Sequence, residues 1–429
     1  MASVRKRKWE HKGVEQEAWV VSYTDLGGKR RLKTFEKKKD ADRYRTQVEV
    51  EIERGTHTAA SESVAFSIAV EAFLKECDKR VQMRDITLGT LKNYESNFKV
   101  AITPYFAKVK MCDVSADLVQ AFVNEMRLRY QPATIHGHYM TLTTLMSFAV
   151  RRRWMKFNPL RDQPARLPEK PKRKAIPSKA DMHAILRTAR RRLAGGDLNL
   201  QVTRHVFVAL ALFGGLRPGE VYGLQWEDVD FDGGVVHVRH SLSRTDGLKG
   251  PKSAAGIRDV PMSAPMREAL LQAARYHVVR ALATAPTWKG KGANALSART
   301  YRLWKSDAVH VDTDELSGFV VRTRNGGPRI SEDSTDFWHS FMKEAGLYDS
   351  EAKRPKFTPH ALRHAAASLF IEAGLPPLNL KTVIGHKDVN TTYNIYGHLF
   401  PEDKRIQEAS EAIAAQIDAT SAQHGPLTH

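Results

Sequence analysis

Cysteine is almost absent: Cys77 and Cys112 are the only two in 429 residues. Neither sits in a Cys-x-x-Cys or Cys/His ligand spacing, which argues against a disulfide framework and a structural zinc site and fits reduced thiols in a cytosolic protein. Long apolar runs are missing as well. No stretch approaches the roughly 18 consecutive apolar residues that a membrane-spanning helix needs. The first residues, MASVRKRKWEHKG, are basic but lack an apolar core, which does not fit a secretory leader. Acidic residues are too few to balance the basic ones. There are 67 Lys and Arg against 48 Asp and Glu, a formal net charge of +19. That surplus points to a polyanionic partner, nucleic acid first and an anionic membrane surface second. The membrane alternative needs a basic amphipathic helix with a broad apolar face, and no convincing one is found. At 42% hydrophobic content the chain can bury a sizeable core, so disorder is not the default. Its length suggests roughly two to four domains.

Residues 1–56 look like a small module of their own. Trp9, then Ala18 to Tyr23, then Arg31 to Phe35 read as three short strands. Gly27-Gly28 supplies the turn between the second and third. A helix over 37–54 follows, with Ala41, Tyr44, Val48 and Ile52 at helical spacing. A sheet face carrying Lys29, Arg30, Arg31 and Lys33 is expected to lie in a DNA groove. Residues 57–63 read as a linker. Residues 64–160 read as four helices, the third capped by Ser115 and the fourth covering 133–154, a pattern that suits a compact bundle. Residues 161–178 are rich in proline and basic residues and mark the clearest boundary in the chain. Residues 179–410 form the largest segment. Helices are expected at 179–193, 205–213, 265–283, 332–345, 360–373, 377–384 and 388–397, and strands at 235–238 and 257–262. Residues 286–315 have no clear pattern, and 411–429 form a tail.

Four pieces of the third segment share a chemical logic. In Gly214-Gly215-Leu216-Arg217-Pro218-Gly219-Glu220 an apolar helix stops at two glycines and an arginine emerges, able to fork two hydrogen bonds onto a phosphate. Gly250-Pro251-Lys252-Ser253 lies between two candidate strands, where a lysine can serve as general acid. Lys249, three residues earlier, is the competing lysine. In Thr358-Pro359-His360-Ala361-Leu362-Arg363-His364 the i, i+3 spacing puts His360 and Arg363 on one helix face, suited to a phosphoryl transition state. Pro359 fits the first turn and Thr358 is a candidate cap. Finally, Gly385-His386 is followed by Tyr393 and Tyr396. A tyrosine among cations can act as a nucleophile. Each piece has a bland reading: solvated turn cations, an ordinary helix start, tyrosines packed on a core. Together and in order they are far more specific.

This constellation resembles the tyrosine recombinases, and most closely the integrases of temperate phages and related mobile elements. The closing stretch GHKDVNTTYNIYGHLFP is very similar to the end of phage-type integrases. The resemblance implies a multidomain, predominantly α protein with small sheets. Its parts would be a helix-rich α+β catalytic domain, a helical SAM-like core-binding domain, and a small N-terminal ββα-type module resembling the arm-binding domain. It implies that Arg217 and Arg363 clamp the scissile phosphate and that His360 and His386 complete the cradle. Lys252 would protonate the leaving 5′ oxygen, Glu220 would support the site by orienting a neighbour, and Tyr396 would form a 3′-phosphotyrosine. Between the two tyrosines the resemblance selects Tyr396, which precedes Gly397-His398 in the family's manner. Between the lysines it selects Lys252. No metal or nucleotide cofactor is implied, because the phosphotyrosine bond conserves the energy of the broken phosphodiester.

The implied partners are double-stranded attachment sites and three more copies of the chain, with a host DNA-bending protein or directionality factor in addition. The implied setting is the bacterial cytoplasm, on DNA. The segment 399–415 is amphipathic and is expected to dock on a neighbouring subunit. A type IB topoisomerase and a non-catalytic DNA-binding relative are the rival readings. The arm-like module and the phage-style ending weigh against the first, and the complete residue set against the second.

Overall fold

The computed structural model describes residues 2–11, 14–55, 57, 63–169, 175–191, 197–251, 254–284, 293–329, 331–400 and 410–415. The chain divides into two compact units, Met1–Lys172 and Arg173–His429. The division falls inside the basic, proline-rich stretch 161–178.

The first unit opens with an antiparallel sheet of β1 (Ser3–His11), β2 (Val14–Thr24) and β3 (Arg30–Phe35), in that order. Helix α1 (Lys38–Glu53) follows. Strand side chains alternate between faces. Val21 and Tyr23 therefore pack with Ala41 and Val48 of α1, joined by Val4, Trp19 and Phe35. The register pairs Val21 with Lys33 and Tyr23 with Arg31, so these two cations share the helix side of the sheet. Lys33 Nζ lies 4.2 Å from the Tyr44 ring centroid, and Arg31 bonds Asp25 at 2.6 Å. The expected basic face is thus corrected. Arg30 lies on the opposite face, with Arg5 and Arg7, which pair with Val20 and Ala18. Lys29 sits in the turn, its backbone N–H donating to Asp25.

Helices α2 (Phe66–Gln82), α3 (Leu88–Asn97), α4 (Thr103–Phe106), α5 (Ala116–Met126), α6 (Pro132–Arg151) and α7 (Pro159–Asp162) make the rest of this unit. Ser115 caps α5 by accepting from Leu118 N at 3.2 Å, as the sequence suggests. The fourth long helix stops at Arg151, earlier than expected, because Arg153 takes a left-handed conformation (φ 60°). Phe66, Phe73, Phe98, Phe106, Phe122 and Leu145 fill the bundle's core.

The second unit is built round α9 (Leu198–Phe213), which follows α8 (Lys179–Arg190). Helix α9 begins one to two turns before the expected start at His205. Thirteen of its residues are buried, and a helix apolar on every side belongs in a core. Its one buried arginine, Arg204, forks two 2.7 Å bonds onto Glu344. Helix α10 (Pro218–Gly223) leads into strands β4 (Val229–Asp230), β5 (Val235–Val238), β6 (Ser241–Ser243), β7 (Gly247–Lys249) and β8 (Arg258–Pro261). β4, β5 and β8 form one antiparallel sheet, and β6 and β7 a separate ladder. Helices α11 (Ala264–Thr284), α12 (Ala293–Trp304), α13 (Ser331–Glu344), α14 (His360–Glu372), α15 (Pro377–Ile384) and α16 (Val389–Tyr396) complete the unit. Helix α12 occupies part of the stretch that has no clear sequence pattern. Of the tail, 410–415 is helical, and 401–409 and 416–429 lie outside the described residues. No described helix is long and apolar enough to cross a membrane.

Candidate active site

Two glycine turns set the site's frame. Helix α9 ends at Gly214, and Gly215 adopts φ 63°. Helix α15 ends at Gly385, also left-handed at φ 71°. A side chain is strained in this conformation, so glycine is the natural residue. Space is closed too: a Cβ on Gly215 would meet Ile384 Cδ1 at 2.6 Å, and one on Gly385 would meet the Ala255 carbonyl oxygen at 2.9 Å.

The arginines of the sequence motifs bind across these turns. Arg217 Nη2 donates to the Gly385 carbonyl at 2.9 Å. Arg363 Nη1 donates to the Gly215 carbonyl at 2.6 Å, and its Nη2 donates to the Ile384 carbonyl. Arg363 thus ties the two turns together, and Arg217 holds the Gly385 turn. Arg217 is partly open to solvent, while Arg363 is buried. Burial, with the neighbouring Arg217 charge, lowers Arg363 to about 9, so it stays cationic at neutral pH.

Glu220 is 2% exposed and holds Arg217 in place. Its carboxylate accepts from Arg217 N at 2.8 Å, Arg217 Nη1 at 2.6 Å and Arg258 Nη2 at 2.9 Å. Burial alone would raise its pKa, but the charge and hydrogen bond of Arg258, helped by Arg217 and Arg363, hold it below the usual carboxylate value. Arg258 also donates from Nε to the Val383 carbonyl at 2.7 Å. Sequence motifs missed this residue. The available signal was alternation: on β8, Arg258 shares a face with buried Val260, which is an unusual place for a charge.

The expected cap on α14 is absent. No side-chain oxygen caps the helix, and the Thr358 carbonyl, not its hydroxyl, accepts from Ala361 N at 2.9 Å. His360 is partly buried at the helix start, its ring edge-on to His364 at 4.9 Å. His386 is buried, and its Nδ1 lies 2.9 Å from Thr392 Oγ1. That bond fixes the ring to α16, whose start is capped by Asp388 accepting from Thr391 N at 2.9 Å. Burial, then the charges of Arg363 and Arg217, lower His386 to about 4, so its imidazole is neutral at physiological pH.

Tyr396 ends α16 and is 1% exposed, packed with Ala367, Ile371, Leu380 and Ile384. Its ring lies parallel to His386, with centroids 6.1 Å apart. Burial raises its hydroxyl to about 12, against the opposing charges of Arg363 and Arg217. Its Oη is 2.7 Å from His364 Nδ1. Tyr393 instead is 50% exposed, its ring 5.9 Å from Phe400. Arg217, Glu220, Arg363, His386 and Tyr396 therefore come together in one unit, and His360 reaches the group through His364. Lys252 lies outside the described residues. The competing Lys249 is ion-paired to Asp246 within the β6–β7 hairpin. That hairpin was not expected. It means that Gly250-Pro251 follows an additional ladder rather than forming a tight turn between β5 and β8. Among the described residues, no cluster of three His, Cys, Asp or Glu is placed to hold a metal ion.

Known proteins resemble this chain. The model described as the phage integrase family matches residues 178–403, more than half of the chain. A second, for the phage integrase N-terminal SAM-like domain, matches residues 70–127. The chain is 29% identical over 195 residues to the transposase from transposon Tn916 of Enterococcus faecalis, covering 44% of this chain and 41% of that one. It is 30% identical over 190 residues to the prophage integrase IntR of Escherichia coli, with the same shares. The matched stretch thus spans about two fifths of the length of these relatives. A tyrosine recombinase XerC-like protein of Caldanaerobacter subterraneus is 23% identical over 328 residues, 74% of each chain. Among solved structures, the Tn1549 transposon integrase in complex with a circular intermediate DNA has a TM-score of 0.58 at 20% identity, covering 80% of this chain and 98% of that one. A lambda integrase dimer bound to a core site gives 0.51 at 17% identity, covering 90% and 93%. These likenesses agree on the fold, and the family match over 178–403 covers every residue of the site, so the chain belongs to the phage integrase family of tyrosine recombinases.

Proposed function

We propose that this chain is a site-specific DNA recombinase that cleaves and rejoins strands through a 3′-phosphotyrosine on Tyr396, integrating or excising a phage or mobile element. The observation that carries this reading is the convergence of Arg217, Arg363, His386 and Tyr396 about the Gly215 and Gly385 turns. Two guanidiniums suit the two non-bridging oxygens of a phosphodiester, and preorganised donors stabilise charge that builds up as phosphorus is attacked. His360 and His386 complete the cradle, Glu220 orients Arg217, and Lys252 protonates the leaving 5′ oxygen. The helical bundle serves as core-binding domain. The N-terminal sheet serves as an arm-binding module that presents Arg5, Arg7 and Arg30 to DNA. Active assemblies are tetramers on two attachment sites, by analogy with a lambda integrase tetramer bound to a Holliday junction. The segment 399–415 would dock on a neighbouring copy, so deleting residues 402–429 should impair synapsis more than single-site binding.

The test is to trap the covalent complex. Duplexes from DNA flanking the gene, nicked near each candidate cleavage point, should yield a denaturation-resistant adduct with the wild type and none with Tyr396→Phe. An adduct that survives in the variant would move the nucleophile, with Tyr393 next to be tried.

A further inference from the structure

His364 has no role in the scheme above, yet it is in hydrogen-bond contact with the Tyr396 hydroxyl. It lies on α14 one turn beyond His360 and is buried. The Nδ1–Oη distance of 2.7 Å is within reach for a general base. The rings meet at 60° with centroids 5.7 Å apart, so an edge of the imidazole addresses the hydroxyl. His386 stands differently: its ring lies parallel to the tyrosine ring, and its Nδ1 is engaged by Thr392.

On the phosphotyrosine reading, we propose that His364 takes the proton from Tyr396 during strand cleavage and returns it during rejoining. In cleavage, Tyr396 Oη forms a bond to phosphorus and the bond from phosphorus to the 5′ oxygen breaks. The Oη proton passes to Nδ1, giving an imidazolium, and the 5′ oxygen takes its proton from the separate acid, Lys252. In rejoining, a 5′ hydroxyl attacks and gives its proton to the neutral lysine. The phosphotyrosine bond breaks, and Oη recovers its proton from His364.

The surroundings make such an acceptor necessary. A buried phenol held near 12 contributes little phenolate at neutral pH, so its proton must leave as the bond forms. The ionisable groups about His364 among the described residues include Tyr396 on α16, His386 just before it, and His360 and Arg363 on its own helix. Arg363 opposes an imidazolium there, and the negative charge of the bound phosphodiester offsets that opposition. His364 therefore becomes the better base once DNA is in place.

The test uses the full chain and the nicked flanking duplexes, with the rate of adduct formation read against pH. Asparagine can accept the tyrosine's hydrogen bond but cannot take its proton. His364→Asn should bind the duplex as the wild type does and form adduct about 100-fold more slowly or worse. Its rate should rise with hydroxide instead of levelling off as an imidazole titrates. His364→Ala should be slow and should recover with added imidazole, in proportion to the unprotonated fraction. A His364→Asn variant that keeps the wild-type rate and pH profile overturns the proposal. So does one that is faster, because the contact would then be a restraint. If the wild type forms no adduct on any duplex, the phosphotyrosine reading falls and takes this one with it. A wild-type adduct with an indifferent His364→Asn overturns only the role of His364.

Discussion

Glu220 joins two arginines that start 41 residues apart in the sequence, Arg217 and Arg258. Removing one partner of a buried ion pair leaves the other charge buried and uncompensated, a loss of about 3–5 kcal/mol. Glu220→Gln should therefore destabilise the second unit on that scale, read by urea unfolding of the full chain. Its depressed pKa makes the contribution pH-dependent. The stabilisation is present above the ordinary carboxylate value of 4.5 and fades as pH falls through the lower folded value, so the variant should show a flatter acid limb. His386 adds a second acid-side slope. Unfolded, it binds a proton near 6.5, and folded only near 4. Its contribution is complete above 6.5 and is lost as pH drops towards 4. His386→Gln should remove that part of the fall in Tm between those limits, and an unchanged slope would contradict the assignment. The motif arginines, histidines and tyrosine were legible in sequence because their spacings are local. Arg258 and His364 were not used, because their meaning lies in partners that only folding brings near, Val383 and Tyr396.

The elements show the same division. Helices α14, α15 and α16 were legible to within a turn. Helix α9 was cut short because its first turns mix Asn199, Gln201 and Arg204 with apolar residues, and Arg204 is acceptable inside only through Glu344. Lys29, Arg30, Arg31 and Lys33 do not share one sheet face, because Lys29 sits in the turn and neighbours along a strand point to opposite sides. The glycine turns were seen as helix stops, but their main duty is conformational. Gly385→Ala would force alanine into a left-handed turn, at a strain of about 1–2 kcal/mol, and press its Cβ on the Ala255 carbonyl and Arg258. The Gly385 carbonyl that receives Arg217 would shift. The variant should therefore lose adduct formation by more than its stability loss explains, measured by adduct yield well below its Tm.

For the whole molecule, the excess positive charge is useful only where it is exposed and grouped. Arg5, Arg7 and Arg30 meet both conditions on the outer face of the N-terminal sheet. Arg31 and Lys33 are only partly exposed and already engaged, Arg31 by Asp25 and Lys33 by Tyr44 and Asp113. Each cation that contacts a phosphate adds about 1 to the slope of log affinity against log salt. Replacing Arg5, Arg7 and Arg30 together with alanine should lower that slope by roughly 3 on a duplex that the sheet binds. Replacing Arg31 and Lys33 should lower it by far less than the roughly 2 that their charge alone would give. Binding titrations of the full chain over a range of salt would separate the two cases. Equal slopes for the two variants would mean that the sheet's outer face is not the surface that meets DNA. A fall confined to the first variant would locate a share of the chain's net charge at one face, and would explain why a basic composition alone could point to a nucleic acid but not to where it binds.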